Sequence, residues 1–252
     1  YIGWMALVMQ EMFVRGRLKY TPVSPKLTFG PAMEAVFRYA EHYETPVTEE
    51  TALAINVLTQ SDPFYISALL ASDCPEKDFS DTRGVIRVLS YEIRNQGGDL
   101  FRTWSEYIDN TLNQVNDIYA KKIILYFSKD RYEEHTRDEI REHLGWAPER
   151  DNELEKKLLT LEYGNLLSRA STDFHYQGIP DDILDLIFRE RYQYEIENVK
   201  PDVSSELSAK VKSLQGTVSD LRGRLTELIV WRELNRCRKE NRPLDNFPGR
   251  LR

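Results

Sequence analysis

VNDIYAKKIILYFSK (Val115–Lys129), TRDEIREHLG (Thr136–Gly145), DNELEKKLLTLEYG (Asp151–Gly164), LLSRA (Leu166–Ala170) and FHYQG (Phe174–Gly178) follow one another within about sixty residues. The first segment spaces Ile118, Ile123, Ile124 and Phe127 for the inner face of a helix. Thr136 and Glu139 have the separation of a capping box, so a second helix opens there and Gly145 ends it. The third segment puts Leu154, Leu158, Leu159 and Leu161 inward and stops at Gly164. The last two read as strands joined by a polar turn at Ser171–Asp173. Three helices followed by a strand pair predict a winged helix over Asn116–Gln177.

A winged helix reads DNA or docks protein, and charge separates the two. A DNA reader places its third helix in the major groove, where phosphates demand Lys and Arg. Here that helix sets Lys156 and Lys157 against Asp151, Glu153, Glu155 and Glu162, a net charge of −2. The wing adds Arg169 but also Asp173. Docking to protein, or within the chain, is the expectation.

Composition bounds the rest. At 252 residues, 41% hydrophobic and 30% charged, the chain can bury a core and hold two small domains. No apolar run nears the roughly 20 residues of a membrane span, and no basic-then-apolar leader begins it. Cys74 and Cys237 are isolated and lack metal-type spacing, which fits a reducing cytoplasm. The net charge of −7 conceals an asymmetry, because residues 204–252 hold 11 basic and 6 acidic side chains. The tail is thus +5 and the body −12. The chain opens at Tyr1 inside an amphipathic pattern (Met5, Val8, Met9, Met12, Phe13), so an internal or C-terminal portion of a longer polypeptide is expected, with a processed mature protein as the alternative.

Ahead of the winged unit, Gly16 ends the first helix and RLKYTPV reads as a short strand. PAMEAVFRYAEHY is a helix burying Met33, Val36, Phe37 and Ala40. Thr48 caps EETALAINVL, with Glu49 and Glu50 at its positive end, and Asp62-Pro63 opens PFYISALLAS. Helices near Arg83–Asn95 and Phe101–Asn113 follow, separated by Gly97-Gly98. Asp181 and Asp182 start a long helix that Pro201 breaks.

The tail carries the clearest period. Leu207, Val211, Leu214, Val218, Leu221, Leu225 and Leu228 alternate four and three apart, a heptad seam with Gly216 and Gly223 on its outer side. Such an arm pairs with another helix or packs on its own domain.

Little in the residues carries chemistry. There is no Gly-x-x-x-x-Gly-Lys-Ser/Thr loop, no His-Glu-x-x-His, no Cys-x-x-Cys and no Gly-x-Ser-x-Gly. His135 and His143 lack a third ligand, so no metal site is expected, and His175 reads as packing. Asp181, Asp182 and Asp185 suggest a cation site less than ordinary first-turn stabilisation. Trp104, Tyr107, Tyr119 and Tyr126 read as core.

Four stretches taken in order add a resemblance: SDPFYISALL, GVIRVLSYEIRNQGGDLFRTWSEYIDNTLNQVND, AKKIILYFSK and YQGIPDDILDLIFRERYQYEIE. Over roughly residues 1–200 the chain resembles the C-terminal half of archaeal-type P-loop ATPases, the STAND branch of the AAA+ superclass. The resemblance implies residues 1–29 ending a nucleotide-binding core, 30–72 a helical lid, 73–112 connecting helices and 113–200 the winged helix; with the basic periodic arm over 201–252, the expected fold is mainly α. It implies ATP and Mg for the parent protein, bound upstream and not by this chain alone. It matches Gly16-Arg17 to a family pair, making Arg17 a nucleotide-sensing candidate whose guanidinium can bind phosphate oxygens. Gly223-Arg-Leu-Thr-Glu227 matches loosely the start of a nuclease-like region in the family, whose metal-binding strands are absent here. The expected function is the regulatory and oligomerisation half of an ATP-driven switch, with homo-oligomer or protein partners and no membrane. The alternatives are a DNA-binding regulator using the basic tail, or an ATPase linked to a nuclease domain downstream.

Overall fold

The computed structural model describes residues 25–115, 118–170, 172 and 174–240. It is mainly helical. The helices are α1 (Phe29–His42), α2 (Glu49–Leu58), α3 (Pro63–Ala71), α4 (Thr82–Arg94), α5 (Asp99–Val115), α6 (Ile118–Lys129), α7 (Arg137–His143), α8 (Asp151–Tyr163), α9 (Asp182–Glu197) and α10 (Val203–Glu240). The described residues also form a single 3-10 turn at Pro148–Arg150 and three short strands, β1 (His135–Thr136), β2 (Ser168–Arg169) and β3 (His175–Gln177). The chain divides into one unit up to Leu207 and a second from Ser208.

Local chemistry sets the helix starts. Thr48 Oγ1 accepts the Thr51 amide and Thr51 Oγ1 accepts that of Thr48 at 2.8 Å, a reciprocal box that opens α2. Asp62 takes the Phe64 amide at 2.8 Å, with Pro63 in the first turn where no amide is needed. The expected Thr136–Glu139 box is present: the Thr136 amide donates to Glu139 at 2.7 Å and Thr136 Oγ1 accepts in return. Asp181 accepts the amides of Ile183 and Leu184 and opens α9.

In the first unit α1 packs on α2 and α3, α4 joins α2 to α5, and α9 lies against α4, α5 and α6. α3 is apolar nearly all round and buries Tyr65, Ile66, Leu69 and Leu70. In α1, Ala32, Val36 and Ala40 are buried, whereas Phe37 is 41% exposed, against expectation. Val36 and Ala40 lie inward as the period has them, while Met33 is half-buried and Phe37 falls on the open flank. Ile118 is likewise exposed, Leu159 only half-buried, and Lys157 is buried in its place.

The segment from α6 to β3 holds the expected three helices and strand pair, with one addition. β1, directly before α7, joins the sheet, and β3 lies between β1 and β2 with both pairings antiparallel. His135 faces Tyr176 and Ser168 faces Gln177. Gly164 closes α8, but not by a left-handed turn: Asn165 takes the positive φ. Gly164 is required by contact instead, because a Cβ there would lie 2.2 Å from Thr111 Cγ2 of α5. Tyr107 Oη, also on α5, donates to the Gly164 carbonyl at 2.8 Å.

α10 is a continuous helix of 38 residues, roughly 57 Å long. Among the described residues no helix is long and apolar enough to cross a membrane.

Candidate functional site

Helix α9 is the hub of the first unit, and its polar side chains reach its neighbours in turn. At its N-terminus Asp181 accepts the Tyr65 hydroxyl of α3 at 2.8 Å. Burial, followed by the neighbouring Asp181 charge, pushes the Tyr65 phenol far above its ordinary value, so Tyr65 remains a donor. Asp182 pairs with the Arg131 guanidinium, which follows α6. Asp185, 3% exposed, accepts Ser128 Oγ of α6 at 2.7 Å and Arg189 Nε at 3.0 Å. Arg189 continues to Glu206, in the first turn of α10, at 2.7 Å. Further along, Glu190 accepts from Arg94 of α4 at 3.2 Å. Arg191 grips Asp109 of α5 through two bonds, at 2.8 and 3.0 Å, and donates to the Ser105 carbonyl at 2.9 Å.

The electrostatics of this hub are those of buried ions. Burial raises the Asp185 carboxyl, against the pull of Arg189 and Ser128. The Arg189 guanidinium loses hydration yet is held charged by Glu206 and Asp185. Each aspartate of the Asp181–Asp185 group therefore has its own protein partner. Among the described residues, no three His, Cys, Asp or Glu side chains are grouped to hold a metal.

A cleft of about 350 Å³ opens beside the hub between Asp109, Leu112, Lys121, Tyr192 and Glu195. Its charges satisfy one another. Tyr192 Oη donates to Asp109 at 2.9 Å, Lys121 Nζ donates to Glu195 at 3.1 Å, and the same ammonium lies 4.1 Å over the Tyr192 ring. His135 and His143 come together only as flanks of the Tyr126 ring, at 4.8 and 4.2 Å, with Tyr126 Oη 3.1 Å from His135 Nδ1.

The third helix of the α6–β3 segment presents carboxylates already engaged. Arg137 bonds Glu155 at 3.0 Å, Arg141 bonds Asp151 at 3.0 Å, Arg150 bonds Glu153 at 2.9 Å and Arg169 bonds Glu162 at 3.0 Å. The arginines that could meet phosphate are turned to the segment's own acids. Lys157 is buried and lies 3.7 Å from Glu153, leaving Lys156 as the exposed lysine of α8.

The seam residues separate along α10. Leu207 and Val211 are buried and Leu214 and Val218 half-buried, while Leu221, Leu225 and Leu228 are 59%, 58% and 62% exposed. Arg17 lies outside the described residues. Sequence reasoning missed Arg131, Arg189 and Arg191. Each acidic partner but one lies more than 15 residues away, and charge alone does not say which acid an arginine will meet. Comparison with protein-family models, curated proteins and solved structures returns no match.

Proposed function

We propose that this chain is the regulatory and association half of an ATP-dependent switch of the STAND/AAA+ type, with its phosphate loop upstream. Residues 30–72 act as the lid, 113–200 as a winged helix that docks protein, and the arm as the association element. The observation that carries the reading is the α9 hub. One helix with buried ion pairs holds the lid through Tyr65, the connecting helices through Arg94, the winged unit through Ser128 and Arg131, and the first turn of α10 through Glu206. A rotation of the lid would therefore be passed to the winged unit and to the first turn of α10 as one movement, the arrangement a two-state element needs.

The strand order β1-β3-β2 around α7 and α8 supports the winged-helix reading. Neutralised arginines and an acidic third helix support protein docking over DNA reading. ATP and Mg do not fit the described residues, which carry no glycine-rich phosphate cradle, so no nucleotide chemistry is assigned to them. Arg17 would sense the phosphates of the upstream site.

Two titrations test this reading. Calorimetry of the 252-residue chain with Mg·ATP should give no micromolar binding, and such binding would contradict the division of labour. Lys156→Glu should leave duplex-DNA affinity and its salt slope unchanged by fluorescence anisotropy. A salt-dependent loss of affinity would restore DNA reading.

A further inference from the structure

The heptad register along α10 is fixed by its spacings, and it sorts the side chains by type. The three-residue steps run from a to d, which places Val211, Val218 and Leu225 at a and Leu214, Leu221 and Leu228 at d. The seam ends where Arg232 takes an a position and Asn235 a d position. Gly216 and Gly223 both fall at f, the outermost position, and a Cβ built on either meets nothing within 4 Å. Asp220, Glu227, Glu233 and Glu240 all fall at b or c. The positions flanking the seam, e and g, contain no acid from Ser208 to Arg238.

We infer that the arm's exposed stripe is covered by a second copy of this chain, in a parallel, in-register, two-stranded coiled coil. The inference rests on the reading of the arm as an association element and adds its stoichiometry and direction. β-Branched residues at a with leucine at d favour two parallel strands over three or four, a pattern that Val211 and Val218 keep and Leu225 does not. The flanks agree. In a parallel pair each g position meets the e position five residues on in the partner. That sets Thr217 against Arg222, Arg224 against Ile229 and Trp231 against Arg236, so each arginine faces an uncharged side chain. The Trp231–Arg236 pair also offers a cation–π contact. Antiparallel pairing matches g with g and e with e, and places one cationic flank along its own copy.

The test uses the full chain. Light scattering at tens of micromolar should give twice the monomer mass, and Leu221→Glu with Leu225→Glu should halve it without changing the near-ultraviolet circular dichroism. Direction is read by cross-linking in a Cys237→Ser background, where Leu225→Cys alters a side chain already in solvent. Parallel pairing brings the two copies of this a position within disulfide reach, a Cα separation of no more than roughly 7 Å. A covalent dimer should therefore form on oxidation of Leu225→Cys alone. An equimolar mixture of Leu214→Cys and Leu225→Cys should give no mixed cross-link, because 11 residues place these positions roughly 16 Å apart along parallel helices. A monomer at 100 micromolar, a trimer or tetramer, or a mixed cross-link without the self cross-link would each overturn the proposal. Those results leave the nucleotide and DNA titrations untouched, so failure here is distinct from failure of the regulatory reading.

Discussion

Replacing Gly84 by alanine should lower the stability of the first unit by about 2 to 3 kcal/mol, although alanine is the better helix former. Gly84 lies in the first turn of α4, where its amide donates to Asp81 at 2.8 Å. A Cβ on Gly84 would sit 1.7 Å from the backbone carbonyl oxygen of Asp78. That oxygen belongs to a loop held by its own bonds, Ser80 N to Asp78 Oδ1 at 2.8 Å and Ser80 Oγ to Asp78 Oδ2 at 3.0 Å. Backbone so held cannot swing aside as a flexible side chain would. At this size each kcal/mol moves the melting temperature by about 2–4 °C, so a fall of about 4–12 °C is expected by calorimetry. The same substitution at Gly223 should have the opposite sign. Nothing surrounds that position, and alanine there should strengthen the helix by about 0.5–1 kcal/mol. Equal effects at the two glycines would contradict the close approach at Gly84.

Asp185→Ala should cost more, about 3–5 kcal/mol by urea denaturation, because it breaks a buried pair and leaves a charge behind. The Arg189 side chain is only 14% exposed and would retain Glu206 alone. Asp185→Asn should cost less, since it keeps the shape and an acceptor for Ser128. The sign of the pH dependence follows from the raised carboxyl. A group held above its unfolded value of 3.8 contributes stability that is full below that value and is lost as pH rises through the folded one. In Asp185→Asn that component of the acid-side pH dependence should vanish. A loss under about 1 kcal/mol for Asp185→Ala would mean the hub is not held at this residue.

Features set by neighbours in sequence were the legible ones. Thr48, Asp62, Thr136 and Asp181 satisfy amides within three residues of themselves, so side-chain type and spacing sufficed to locate four helix starts. Three of the four inward positions expected for α8 followed from period alone, with Leu154, Leu158 and Leu161 buried and Leu159 half-buried. β1 escaped notice because two residues, His135 and Thr136, cannot show an alternating pattern; only β3 across the sheet defines them as a strand. Phe37 shows a different limit. Apolarity marked it as core, but which flank of a helix is covered depends on the helices that meet it. The hub was the least legible part. Asp181, Asp182 and Asp185 were visible as acids at a helix start, yet their partners Tyr65, Arg131 and Ser128 lie 116, 51 and 57 residues away. The seam was visible as a period, while its division into a buried beginning and an exposed end was not.

The central claim is that these residues regulate a nucleotide site carried ahead of them. Sequencing the transcript upstream of Tyr1 tests it most directly. The account predicts an open reading frame that continues upstream and encodes a Gly-x-x-x-x-Gly-Lys-Ser/Thr loop followed by a strand ending in an acidic residue. An initiation codon immediately before Tyr1, or an upstream reading frame without such a loop, would contradict it.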